Sequence, residues 1–296
     1  MNAFNDPTFF VLVCSLLGLL VGSFLNVVIR RLPIMMEQSW KHECCELLEQ
    51  PLPDTTPISL SHPGSSCPVC RTSIKPWHNI PVISWILLRA QCAHCGARIS
   101  SRYPLVELLT GILSGLAAWH FGFSAEAMSA LVLIWMLIAL TGIDVDTQML
   151  PDSLTLPLLW TGLGVNLFAV WTSLSSAVTG AILGYGILWT IYWLFKLVTG
   201  KEGMGYGDFK LLSALGAWFG WQALPLIILL SSFTGAVLGV AILLIRGQGR
   251  DTLMPFGPYL AGAGLIVLFF GEQLIHQYLS LVSSSHAARW DNGWYR

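Results

Sequence analysis

A set of aspartates and a set of cysteines carry the residue types and spacings that do chemistry in this chain. Asp144, Asp146 and Asp152 lie within the run from Gly142 to Asp152, and Asp208 lies in Gly203-Met204-Gly205-Tyr206-Gly207-Asp208-Phe209-Lys210. Two carboxyl groups a few ångströms apart do not both ionise easily, so they share one proton and their titrations split. The ionised member takes a proton from water while the protonated one polarises a carbonyl, which is the chemistry of peptide hydrolysis by an aspartate pair. Asp144 and Asp208 are the candidate pair. Gly205 and Gly207, with Gly203, lack side chains that would block an extended backbone from reaching Asp208, and glycine also permits unusual dihedrals. Asp146 reads as a solvated loop acid or a support for Asp144. Asp152, before Ser153-Leu154-Thr155, reads better as an N-cap of the following helix. Glu107, beside Arg102, reads equally as half of an ion pair or as a substrate contact.

The cysteine set is Cys67-Pro68-Val69-Cys70 and Cys92-Ala93-His94-Cys95. Each CxxC turns two thiolates toward one point, and two such knuckles complete a tetrahedral zinc site with no open position, hence a structural one. Redox CxxC pairs, unligated thiols and an iron–sulfur cluster are the competing readings. His94 reads as loop surface, with replacement of a cysteine ligand as the alternative. Cys14 reads as a small buried residue, and Cys44-Cys45 have no partner spacing.

These residues need elements to hold them, and composition says which. The 296 residues are 54% hydrophobic and 10% charged, against roughly 25% charged in an ordinary soluble domain. A spanning helix needs roughly 20 mostly apolar residues, and eight segments qualify approximately: 8–29, 104–121, 125–143, 154–172, 177–199, 208–220, 222–245 and 255–281. The fold class is therefore an all-α polytopic membrane protein of about eight transmembrane helices. Residues 1–30 form the first span, 31–103 a small cytoplasmic zinc-knuckle insert, and 104–296 the transmembrane core. With the N-terminus outside, all 15 Lys and Arg side chains except Arg289 and Arg296 fall on the cytoplasmic side, as the positive-inside rule requires. The run ending in Arg30-Arg31 reads as a retained anchor rather than a cleaved signal. Both aspartate clusters then come out at the cytoplasmic edge. The net charge of -1 gives no sign of a nucleic-acid partner, and no internal repeat is evident.

Several blocks together resemble the bacterial type IV prepilin leader peptidases, which double as N-methyltransferases. They are Gly22 to Val28, the cysteines around Trp77 to Trp85, Ser101 to Leu109, Asp144 to Trp160, Gly205 to Asp208 and Pro255 to Pro258. The resemblance covers nearly the whole chain. It implies cleavage after a glycine ending a short basic leader of prepilins or type II secretion pseudopilins, at the inner-membrane face toward the cytoplasm. It implies methylation of the new N-terminal residue, usually Phe, from S-adenosylmethionine. It assigns catalysis to Asp144 and Asp208 and zinc to Cys67, Cys70, Cys92 and Cys95. One departure is Ala90, where members commonly have Gly. A peptidase without methylation is the alternative, and an ion-coupled transporter using membrane acids is the reading from another class.

Overall fold

The computed structural model describes residues 6–51, 58–246 and 255–290, with backbone alone at 242, 243, 245, 246 and 275–290. Arg250 and Arg296 of the charge pattern lie outside the described residues, as do the side chains of Arg246 and Arg289. The chain divides after Pro151 into two compact units.

The first unit holds α1 (Pro7–Leu47), α2 (Ile83–Leu87), α3 (Arg102–Phe121) and α4 (Ala125–Thr147). Helix α1 starts where Asp6 accepts the Thr8 amide at 2.9 Å, with Pro7 at the first helical position, the combination that satisfies free N–H groups at a helix start. Its 41 residues measure about 61 Å, twice a bilayer core, so the helix runs on well past Arg31. α1 and α3 meet through two small-residue pairs, Gly18/Gly22 and Gly111/Gly115. A Cβ on Gly22 would lie 2.8 Å from the Glu107 Cα, and one on Gly111 2.9 Å from the Leu19 side chain. Apolar side chains gain little by leaving lipid for one another, so close backbone approach through such GxxxG spacings is what associates membrane helices. α4 is the most enclosed of the four. Leu133, Ile134, Leu137, Leu140 and Ile143 are fully buried, and the Trp135 indole donates to Ser114 Oγ at 3.0 Å.

The second unit holds α5 (Asp152–Asn166), α6 (Leu174–Thr199), α7 (Tyr206–Phe219), α8 (Leu224–Arg246) and α9 (Gly257–Trp290). All eight predicted spans are helices, but among the described residues six helices are long and apolar enough to cross a membrane. α5 and α7 are not, with 15 and 14 residues, or about 22 Å. For α7 the physical reason is its surroundings. Phe209, Leu211, Leu212, Ala214, Leu215 and Trp218 are all buried, so it meets protein, and the length a lipid-facing helix needs does not apply to it. Ser213 Oγ donates to the Ala181 carbonyl at 2.7 Å. Gly180 and Gly216 bring the α6 and α7 backbones into direct contact. Asn166, at the end of α5, donates to the Ala217 and Trp218 carbonyls at 2.8 and 2.9 Å. It thereby satisfies the last carbonyls of α7, which have no partner inside the helix.

Between α1 and α3 the insert has no strand among its described residues, only two isolated bridges, Ser66 to Ser73 and Gln91 to Arg98. They mark a short repeat that the sequence alone did not reveal. The Cys67 amide donates to the Thr72 carbonyl and the Arg71 amide back to Cys67, as the Cys92 amide donates to Ala97 and Gly96 back to Cys92. Arg71 and Gly96 take the same left-handed conformation, φ 57° and 71°.

Two glycines of α6 test the packing. A Cβ on Gly184 would lie 2.7 Å from the Leu212 carbonyl oxygen, whereas one on Gly186 would meet nothing within 4 Å. Gly184→Ala is expected to cost about 1–3 kcal/mol through overpacking, read as a lowered unfolding midpoint in detergent. Gly186→Ala is expected to leave that midpoint unchanged or raise it, by up to about 1 kcal/mol of helix propensity.

Candidate active site and metal centre

Asp144 sits in the last turn of α4 and is buried. The helix stops there because Gln148 adopts a left-handed conformation, φ 54°, and returns its amide to the Asp144 carbonyl at 2.9 Å. Arg102, the first residue of α3, holds this end. Its guanidinium pairs with Asp146 and also donates to the Gly142 carbonyl at 3.0 Å. A cation suits a helix C-terminus, where unpaired carbonyls gather partial negative charge. Arg102 thus ties Asp146 and Gly142 to the start of α3 at the helix end that carries Asp144.

Glu107 therefore does not make the ion pair with Arg102. Only 8% exposed, it accepts the backbone N–H of Val82 at 2.8 Å, and Ser23 of α1 hydrogen-bonds to the same carboxylate. Val82 has φ 61° and ψ -49°, and the Ile83 amide reaches back to the Pro81 carbonyl at 2.5 Å. A β-branched residue at positive φ is a true outlier held by its surroundings.

In the second unit Asp208 is buried in the first turn of α7, where the N-terminal partial charge of a helix favours an anion. Gly205 precedes the helix with φ -85° and ψ 154°. That is ordinary extended backbone, so its use lies in the missing side chain and not in a special dihedral. Among the described residues, a Cβ there would find only Asp208 Oδ2 and the Gly207 amide nitrogen within 4 Å, both at 3.9 Å. Asp152 is the first residue of α5, and both its oxygens lie on Lys210 Nζ, at 2.6 and 2.8 Å. Beyond the helix-start position expected of it, Asp152 is half of an ion pair that joins the starts of α5 and α7.

Cys67, Cys70, Cys92 and Cys95 converge, with all four sulfurs within 4.8 Å of one another and Cys67 and Cys95 at 3.8 Å. Four thiolates about 2.3 Å from a tetrahedral ion stand about 3.8 Å apart, so this donor set fits a metal ion with little adjustment. The thiols already differ. Thr72, through its hydroxyl and its amide, draws the Cys70 thiol down to about 6. The backbone N–H groups of Cys95 and His94 lower Cys92. The Ala97 amide pulls Cys95 down, but desolvation and the three neighbouring sulfurs outweigh it and push that thiol up to about 11. Cys14, Cys44, Cys45 and His94 are outside the cluster. Arg89 and Ala90, with φ 51° and 59°, take the chain into the second knuckle through two left-handed residues. That conformation is one glycine adopts freely and alanine does not.

Residues 16–121 match the Bacterial Peptidase A24 N-terminal domain, and residues 131–240 match the Type IV leader peptidase family. A protein of Stutzerimonas stutzeri named prepilin leader peptidase/N-methyltransferase is 58% identical over 276 residues, 93% of this chain and 96% of that one. This chain belongs to the type IV leader peptidase family. A Pseudomonas aeruginosa protein of the same name is 57% identical, covering 93% of this chain and 95% of its own length. A Legionella pneumophila one is 48% identical, with 93% and 96% covered. No solved structure matches. The transporter alternative falls with these matches.

Because ligation requires thiolates, the metal competes with protons. The Cys95 thiol, pushed up to about 11, must be deprotonated on binding at neutral pH. Chelator competition is expected to show affinity rising with pH, by at least about tenfold per unit between pH 7 and 9 for that one proton. Below pH 6, where Cys70 also takes up a proton, affinity is expected to fall more steeply. Cys67→Ser is expected to lose most bound metal; unchanged metal content would reject the site.

Proposed function

We propose that this leader peptidase cleaves the short basic leader from prepilins or pseudopilins and then methylates the new N-terminal amine. The identity of 58% across 93% of the chain to a protein so named carries the reading. Two buried carboxylates, each at a helix end, support it. Asp144 and Asp208 act as the pair. One carboxylate takes a proton from water as that water attacks the scissile carbonyl. The other, protonated, donates a hydrogen bond to the carbonyl oxygen where charge develops, and later passes a proton to the departing amine. No covalent intermediate forms. Gly205 and Gly207 leave room for the substrate backbone at Asp208. Arg102 with Asp146, and Lys210 with Asp152, hold the two helix ends. S-adenosylmethionine supplies the methyl group in the second step.

The metal is zinc. A closed set of four thiolates suits it and leaves no position for substrate, so its part is to fold the insert, residues 31–103, which is too small to supply a large core of its own. Residues 1–30 anchor the chain, and 104–296 form the peptidase core. The protein lies in the inner membrane with its acids toward the cytoplasm, following the distribution of its basic residues.

Purified enzyme incubated with a prepilin, with and without S-adenosylmethionine, and followed by mass spectrometry tests the whole reading. The expected products are a shortened pilin alone and a shortened pilin bearing one methyl group. Shortening that stays unmethylated would leave a peptidase only. Asp144→Asn and Asp208→Asn are each expected to lose cleavage by at least about a thousandfold, with protein still accumulating in membranes. Substantial cleavage by either variant would reject the pair.

A further inference from the structure

Residues 76–87 of the insert form a small folded piece with an apolar outer face. A 3-10 turn, Pro76–Asn79, leads into α2, Ile83–Leu87. Ser84, buried, donates to the Trp77 carbonyl at 2.8 Å and accepts the Ile80 amide at 3.2 Å. The Trp85 indole ties the piece to the second knuckle through the Ile99 carbonyl at 3.2 Å. The piece shows Ile83, Ile86 and Leu87 outward, 56%, 61% and 76% exposed, with Trp77 and Ile80 exposed beside them. Ile83, Ile86 and Leu87 stand at i, i+3 and i+4, one face of the helix.

Depth decides what covers that face. The piece is fixed by the Val82 amide on Glu107. Glu107 is five residues into α3, about 7.5 Å along the axis. It also lies against Gly22 of α1, well inside the apolar run that ends at Arg30. Around it on α3, Leu105, Leu108 and Leu109 are exposed, as the outer surface of a spanning helix is. The loop is thus pinned level with residues that lie within the membrane. An N–H held there without water must bring its own acceptor. This accounts for the otherwise costly acid at 107 and for the strained Val82 that reaches it. Lys75, 5.6 Å from the Trp77 ring centroid, and exposed Arg89 flank the face with positive charge.

We propose that residues 76–87 are an interfacial wedge, seated in the lipid leaflet on the side where α1 emerges. Trp77, Ile80, Ile83, Ile86 and Leu87 enter the acyl boundary, while Lys75 and Arg89 meet anionic headgroups. Apolar faces of monotopic segments sink about 5–10 Å into that zone, which is the depth at which Glu107 holds the loop. The proposal rests on the membrane reading of the fold and not on the peptidase chemistry.

A benzophenone amino acid placed at Ile83, at Ile86 or at Trp77 in the full chain tests it. The enzyme is reconstituted in vesicles of phosphatidylethanolamine and phosphatidylglycerol, irradiated and analysed by mass spectrometry. Leu47, equally apolar and exposed at the far end of α1, is the reference position. Variants that keep their metal are read, and three positions guard against the loss of one. Lipid adducts several-fold above those at Leu47 are expected. Adducts no more frequent than at Leu47, or formed with added prepilin or with another part of the chain in place of lipid, would overturn the wedge. Prepilin cleavage is measured in the same vesicles. Cleavage without lipid adducts sinks the wedge and leaves the peptidase standing; lipid adducts without cleavage do the reverse.

Discussion

Hydrocarbon offers no hydrogen bond to a polar group, and the arrangement of this chain follows from that one constraint. Three acids at or near helix ends have their partners built in: Glu107 takes the Val82 amide, Asp146 takes Arg102, and Asp152 takes Lys210. Carbonyls at helix ends are treated alike. Arg102 reaches the Gly142 carbonyl and Asn166 those of Ala217 and Trp218. The carboxylates assigned to catalysis are therefore set among groups whose own demands are already met.

The same solvent explains the glycines. Leucine gains little by leaving lipid for another leucine, so helices that must stay together do so by fitting closely. Gly22 and Gly111 fit α1 to α3, and Gly180, Gly184 and Gly216 fit α6 to α7. The second contact fixes α7, which carries Asp208, one of the two carboxylates proposed for catalysis. The insert solves a different problem. It has little apolar core, and beyond α1 its described backbone has only two short helical pieces and two isolated bridges, so four thiolates converge where side-chain packing would otherwise do the work.

Much of this was legible in the sequence. Long apolar runs marked every large helix, the doubled CxxC spacing marked the cluster, and the scarcity of acids in an apolar chain drew the eye to Asp144 and Asp208. What stayed hidden needed three dimensions. Hydropathy marked eight segments alike, whereas among the described residues six helices are long and apolar enough to cross by themselves, and it could not tell a helix that faces lipid from one, such as α7, enclosed by protein. Glu107 lies beside Arg102 in the chain, yet the guanidinium belongs to Asp146, more than forty positions away. Asp152 has the spacing of an N-cap, and nothing local reveals Lys210. The matching pairs Gly18/Gly22 and Gly111/Gly115 were readable as a packing motif, whereas no sequence signal marked Asn166 as the cap of a helix that begins forty residues later.

Helix α7 is gripped along its flank by α6 and at its far end by Asn166. A rod so held neither slides nor turns about its axis without breaking those contacts, and so Asp208 has an almost fixed address within its unit. Precision of this kind passes the burden of movement to the incoming chain. If Asp208 is the catalytic acid proposed above, a polypeptide arriving as a helix, its amide groups engaged with one another, would have to unwind locally and lie straight past Gly205 before its carbonyl could meet that acid. Selectivity would then begin with how readily a sequence uncoils at one bond, ahead of any recognition of its side chains.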